Sequence, residues 1–165
     1  MNQRSAFIIT ASNRASQGVY ADLSGEALRV GLHQLGYNVS APVIVADDVE
    51  AISAQIIQAL ANKARLIITT GGTGVSPMDV TPEATAPFIE KQIPGFMEAF
   101  RAYSREKTPT SDLTRGLAGT HGASLIINLP GSPGGVKDGL VIIERLAGHV
   151  HDQIAGVDHT PTIKA

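Results

Sequence analysis

Hydrophobic and polar positions follow two rhythms along this chain. "AFIITAS" at 6–12, "RLIITT" at 65–70 and "ASLIINLPG" at 123–131 are continuous apolar runs closed by small polar residues or a Pro-Gly turn. Such runs predict strands buried on both faces. "YNVSAPVIVA" at 37–46 reads as a further strand weakened at Pro42, which places it toward a sheet edge or puts its proline at a bulge. Between the runs the period changes to that of a helix. Leu28, Leu32 and Leu35 mark a helix over 23–35 that stops at Gly36, and Val49, Ile52, Ile56 and Leu60 mark one over 49–64. A helix starts near Thr81, where Pro82 and Glu83 suit a first turn, another covers 95–106, and "KTPTSD" at 107–112 reads as an exposed turn. Val136, Leu140, Ile143 and Val150 line one side of a last helix over 134–154.

Strands that are apolar throughout and alternate with helices predict a mainly parallel sheet covered on both faces. The expected fold is an α/β, three-layer α/β/α sandwich. At 165 residues, with 43% hydrophobic and 17% charged residues, the composition is globular and a single domain over 1–165 is expected. With aromatics at 4%, the core should be mostly aliphatic.

Charge and cysteine content then remove several functions. The net charge is −2 and the Lys and Arg residues are scattered, so no broad basic face suits a nucleic acid. Without cysteine there are no disulfides, thiolate metal sites or cysteine nucleophiles. The start is too short in apolar run for a signal peptide, and no segment approaches the ~18 apolar residues of a membrane span. A soluble cytoplasmic protein is expected.

Candidate chemistry lies in two turns that follow strands, "TTGGTGVSPMD" at 69–79 and "NLPGSPGG" at 128–135. In open α/β sheets ligands sit beyond the carboxyl ends of strands. Glycines let backbone approach a ligand, and main-chain N–H groups with a helix N-terminus cradle phosphate oxygens. A P-loop needs a Gly-Lys pair, which neither turn has, and a dinucleotide fingerprint from Gly72 would need glycine where Pro77 stands. The turn could equally be no more than a tight connection. Asp79 has two readings: it caps the helix that follows, or Thr81 caps that helix and Asp79 faces the contents of the loop. A carboxylate beside a phosphate cradle needs an intervening cation, and Mg²⁺ binds through one or two carboxylates plus phosphate oxygens.

"GGTGVSPMDVTPEAT" together with "LIINLPGSPGGVKD" resembles the molybdopterin-binding fold of molybdenum-cofactor biosynthesis. Within it the chain is most similar to bacterial molybdopterin adenylyltransferases of the Mog/MoaB type and to the G domains of plant Cnx and animal gephyrin proteins. The likeness runs from Ser12 to Asp138. It implies a homotrimer that joins the terminal phosphate of molybdopterin to the AMP part of Mg-ATP and releases pyrophosphate, with a molybdenum-insertion protein as a further candidate partner. Residue by residue, it implies Asp79 and Asp47 as metal and transfer acids. Gly71, Gly72, Thr73 and Gly74, with Ser76 and Thr81, would form one ligand loop and Pro130, Gly131, Ser132 and Pro133 the facing one; Ser12 and Arg14 would line the same mouth.

Ala46 stands where the family often has proline, which blurs whether Asp47 or Asp48 is the matching acid, and Thr114-Arg115 replaces Ser-Arg. Adenylyl transfer is an in-line displacement at phosphorus that asks for alignment and charge neutralisation, not for a protein nucleophile. Mg²⁺ would serve it as Lewis acid and template.

Structural roles compete for several of these residues. Asp47 with Glu50 could form a capping box for the next helix, Asp22 could cap the first long helix, and Arg14 could be a solvated loop charge. His149, His151, Asp152, Asp158 and His159 look like a metal cluster by composition, but residues two apart on a helix point in different directions. A competence-damage-type nucleotide pyrophosphatase domain and a MoaB-like paralogue that binds pterin without turnover are the alternative functions.

Overall fold

The apolar run at the start of the chain forms the second strand in from one edge of a seven-stranded sheet. The computed structural model describes residues 3–157. β1 (Ser5–Ala11) is followed by a short helix α1 (Asn13–Ser16), α2 (Leu23–Gln34), β2 (Asn38–Val39), β3 (Val43–Val45), α3 (Val49–Ala61) and β4 (Leu66–Thr70). Next come α4 (Thr81–Thr85), β5 (Lys91–Gln92), α5 (Pro94–Ser104), β6 (Ala118–His121), β7 (Ser124–Leu129) and α6 (Pro133–Ile154). The sheet order is β2-β1-β4-β7-β6-β5, with β3 also on β1. The expected edge strand is thus two pieces: β2 pairs with Ser5 and Ala6, β3 with residues 9–11. Pro42 lies in the gap, where its missing N–H breaks no ladder bond.

β1, β4, β7 and the β2/β3 edge are parallel, whereas β6 and β5 run antiparallel. That antiparallel pair has no counterpart in the expected elements. "AGTH" and "KQ" carry no apolar alternation to mark them, and they become strands because β7 offers an unpaired edge.

Period-two alternation divides the central strands between two cores. On one face Ile8, Leu66, Ile68, Leu125 and Ile127 meet Leu28 and Leu32 of α2, Phe96 and Phe100 of α5, and Val136, Ile143 and Ala147 of α6. On the other, Phe7, Ile9, Ile67 and Ile126 meet Ile52, Ile56 and Ala59 of α3 and Ala84 of α4. Fully burying such a side chain contributes roughly 1.5–3 kcal/mol. Asn128 is the polar exception in β7. Fully buried, it donates from Nδ2 to Thr69 Oγ1 at 2.9 Å and Thr85 Oγ1 at 3.0 Å and accepts from Leu117 N at 3.0 Å, which ties β4, α4 and the approach to β6 together.

The histidine-rich end of α6 is divided by the fold. His151 is 0% exposed and its Nε2 lies 3.1 Å from Tyr37 Oη, whereas Asp152 bonds Arg4 on the surface. No group of three metal-ligand side chains occurs among the described residues, and Asp158 and His159 lie outside them. Burial, with the charges of Arg4 and Arg65 adding to it, lowers the His151 pKa from 6.5 to about 4. The unfolded chain therefore binds a proton between those values while the folded chain does not, so the contribution is complete above pH 6.5 and is lost as pH falls toward 4. Denaturant unfolding should report a loss on the order of 2–3 kcal/mol across that window from this group. His151→Gln, which cannot titrate, should lose correspondingly less between pH 7 and 4.5; equal losses in both proteins would remove His151 from the effect.

Candidate functional site

The register of β4 on β7 sets Thr70 opposite Leu129, so the two glycine turns leave the sheet side by side. Gly71 N donates to Leu129 O at 3.0 Å and Thr70 Oγ1 donates to Pro130 O at 3.0 Å. Gly71 has φ +97°, and a Cβ there would lie 2.2 Å from the Ala11 carbonyl oxygen. A Cβ on Gly131 would stand 3.1 Å from Gly71 Cα. The glycines are present because three backbone segments converge where side chains have no room.

The two acids are held from opposite sides of this junction. Asp48, not Asp47, caps α3, accepting from Ala51 N at 2.8 Å. This corrects the capping-box expectation for Asp47 and Glu50 and separates the two neighbouring acids. Asp47 instead exchanges bonds with Asn13: its Oδ2 accepts from Asn13 N at 2.9 Å and its N donates to Asn13 Oδ1 at 3.0 Å. Asp79 is not a helix cap either. Its Oδ2 accepts from Ser76 N at 2.9 Å, and its own N donates to Ser76 O at 2.9 Å, closing a turn inside the loop. Nor does Thr81 cap α4; Val80 takes that position without a side-chain bond. Thr81 is 0% exposed, and its Oγ1 donates to Gly71 O at 2.9 Å. It braces the glycine turn from beneath, so the expected ligand contact is replaced by a supporting one.

Two cavities open on either side of the junction. One, of ≈ 330 Å³, lies between residues 72–74, residues 130–132, α5 and the segment 108–114, with Asp138 of α6 in its wall. The other, of ≈ 430 Å³, lies toward α1 and α2 and is lined by Ser12, Tyr20, Asp47, Gly71 and Pro133 among others. Gly72, Asp79 and Gly131 line both. Of the remaining expected residues, Thr73, Gly74, Pro130 and Ser132 face the first cavity. Ser132 also caps α6, accepting from Gly135 N at 3.1 Å. Ser76 acts through its backbone bond to Asp79, and Arg14, exposed on α1, belongs to neither wall.

Sequence reasoning missed much of both walls. Asp22 caps α2, as one reading held, but it also accepts from Thr10 Oγ1 at 2.6 Å at the edge of the second cavity. Ser24 Oγ donates to Gly131 O at 2.7 Å and fixes the facing turn. Arg115 carries no local signal beyond the Thr114-Arg115 pair. Its backbone N donates to Thr73 O at 2.8 Å, its Nε to Gly74 O at 2.7 Å and its Nη2 to Asp79 O at 2.8 Å, and it pairs with Glu83, whose carboxyl it holds below the usual range through that hydrogen bond. In a planar trans peptide the N–H points opposite to the C=O, so tying the Thr73 and Gly74 carbonyls to Arg115 turns the Gly74 and Val75 N–H groups the other way.

The fold and the paired turns thus define a three-layer α/β protein with a candidate anion site beyond the carboxyl ends of its central strands. Residues 7–148 match the family described as "Probable molybdopterin binding domain", and the chain belongs to this family of molybdenum cofactor biosynthesis. It is 39% identical over 155 residues to a molybdopterin adenylyltransferase of Helicobacter pylori, covering 90% of this chain and 86% of that protein. The molybdopterin biosynthesis Mog protein of Mycobacterium ulcerans superimposes with a TM-score of 0.86 at 45% identity, over 92% of this chain and 99% of that one. The MoaB enzyme of Thermus thermophilus gives 0.86 at 34% identity, over 93% and 98%.

Arg115→Ala should free the loop without unfolding the protein, because the clamp lies on the surface. Amide hydrogen exchange over residues 74–80 should speed up by about tenfold or more while exchange in β4 and β7 is unchanged. Unaltered exchange in the loop would show that the clamp does not hold it.

Proposed function

We propose that the chain transfers the adenylyl group of Mg-ATP to the terminal phosphate of molybdopterin and releases pyrophosphate. The observation that carries this reading is the wall shared by the two cavities, Gly72, Asp79 and Gly131. Two phosphate-bearing ligands, one in each cavity, would meet at that wall, which is the arrangement an in-line displacement between two phosphates requires. An oxygen of the molybdopterin phosphate attacks the α-phosphorus, the bond to the β-phosphate oxygen breaks, and pyrophosphate carries the charge away. The chain's part is alignment by main-chain N–H groups and by the two acids, with no covalent enzyme intermediate.

The donor set fits magnesium. Asp47 and Asp79 line the same cavity, each with one oxygen engaged by a backbone N–H and the other left over. Two carboxylates without further protein ligands suit an ion that keeps phosphate oxygens and waters for the rest of its octahedron. When bound there, Mg²⁺ would supply Lewis-acid neutralisation of phosphate charge. Ser12 and Tyr20, joined at 2.9 Å between Oγ and Oη, would border the nucleotide on the Asp47 side. The family likeness extends the reading to a homotrimer working in the cytoplasm.

Purified protein given molybdopterin and Mg-ATP should form adenylylated molybdopterin and pyrophosphate. Binding of both ligands without product would instead favour a non-catalytic binding paralogue. Asp79→Asn should keep the melting temperature within a few degrees and reduce transfer by roughly a hundredfold or more; wild-type rates would take Asp79 out of the chemistry.

A further inference from the structure

Another cavity, of ≈ 310 Å³, lies at the opposite end of the central strands from the glycine turns, beside the first residues of β4 and β7. Its lining comes from two segments: Leu60, Lys63 and Arg65 at the end of α3 and the approach to β4, and residues 121–124 around the turn between β6 and β7. Two cations line it, and no acid does. Arg65 is half-buried, and its Nε is buried without a hydrogen-bond partner. Among the described residues no carboxylate lies within ion-pair distance of Arg65 or Lys63. A partly buried guanidinium is ordinarily paired, because its donors lose water on burial. Here its charge is left uncompensated.

Lys63 adds a second, independent oddity. It is the one non-glycine residue with positive φ, 56°, among the described residues. It stands just past the C-cap Asn62 of α3, where Lys63 N donates to Leu60 O at 2.9 Å and Ala64 N to Ala59 O at 3.0 Å. Glycine is the usual residue at such a position, and a strained side chain there points to a use for it. A cation at a helix C-terminus also complements the helix dipole, but that role leaves the unpaired Arg65 without a reason. Both cations rise from fixed backbone: Arg65 N donates to Ser5 O at 3.0 Å, Leu125 N donates to Arg65 O at 2.9 Å, and Ser124 Oγ donates to Ala64 O at 2.6 Å. The remaining polar groups are engaged elsewhere. His121 Nδ1 lies 2.9 Å from Phe88 O, and Glu90, which is not in the lining, accepts from Gly122 N at 2.8 Å.

We propose that this cavity binds the phosphate group of a small phosphorylated metabolite, with Arg65 and Lys63 as its cationic donors. A phosphate monoester carries a charge of about −1.5 to −2 near neutral pH, which two cations match. The guanidinium fork and the ammonium suit its several oxygens. The volume is at the lower end of small-molecule sites, roughly 300 Å³ and upward, and Leu60 and Ala123 offer apolar surface to the organic part. Free inorganic phosphate shares the recognised chemistry. The site lies a strand's length, roughly 15 Å, from the glycine turns and stands apart from the proposed transfer.

Amide NMR spectra of the full chain at low ionic strength, titrated with inorganic phosphate, glycerol 3-phosphate and succinate, test the assignment. Both phosphates should shift residues 63–65 and 121–124 at millimolar concentration; phosphate that enters the glycine turns registers separately at 71–74 and 131. Tighter binding of the ester identifies a metabolite as the source and equal binding identifies free phosphate, and either supports the site. Lys63→Gly, which suits the left-handed backbone and keeps the fold, and Arg65→Gln should each weaken the phosphates by about tenfold or more at the first set of residues. Shifts confined to the glycine turns, unchanged affinity in both variants, or succinate binding as tightly as phosphate would each overturn the assignment. So would a change in the molecular mass of Arg65→Gln by light scattering with no phosphate shifts in the wild type, which would give Arg65 to an acid of a second copy.

Discussion

Thr70 and Leu129 lie opposite one another at the carboxyl ends of two parallel strands, and the candidate site depends on that pairing. A shift of one residue would move one glycine turn along the sheet by about 3.3 Å and turn every side chain of that strand to the wrong face. The register is held by core residues far from the site, Leu66 and Ile68 on one face and Ile67 on the other, together with the buried amide of Asn128. Because the strands end level, Gly131 packs closely on Gly71, where a side chain would strike the Ala11 carbonyl oxygen. The same contact forms part of the wall between the two cavities.

A second consequence is that the loop is held in place rather than loose. A segment with three glycines in four residues suggests mobility. Instead its outer carbonyls are bound by Arg115, its inner turn is braced by Thr81, and its acid is tied to Ser76. Glycine here supplies backbone conformations and close approach, while side chains from α4 and from the segment before β6 supply the rigidity. Preorganised N–H groups cost no reorganisation when charge develops beside them, which is the use the proposed transfer would make of them.

The acids show how local and non-local signals part company. Asp47 and Asp48 are adjacent in sequence, and either satisfies a capping pattern. The extended backbone at Asp48 gives it the cap, and the contact with Asn13, thirty-four positions away, turns Asp47 toward the cavity. Asp79 and Thr81 compete similarly, and neither becomes the cap, because Gly71 and Ser76 claim their side chains. Asp138 looks like one polar position on a long helix. Only the packing of α5 against α6 encloses it with Ser104 in one cavity.

By itself the chain determined its helices other than the one-turn α1, which lies in a segment that reads as a polar loop, its buried central strands, the turns after β4 and β7, and, through those turns, its family. All of these rest on periodicity, caps and glycine positions within a few residues of one another. Tertiary structure alone decided which strand neighbours which, the antiparallel addition of β5 and β6, which aspartate lines a cavity and which only caps a helix, and the division of the site into two cavities. Those choices rest on contacts between segments tens of residues apart, and a hydrogen bond's partner across that distance leaves no trace in local pattern.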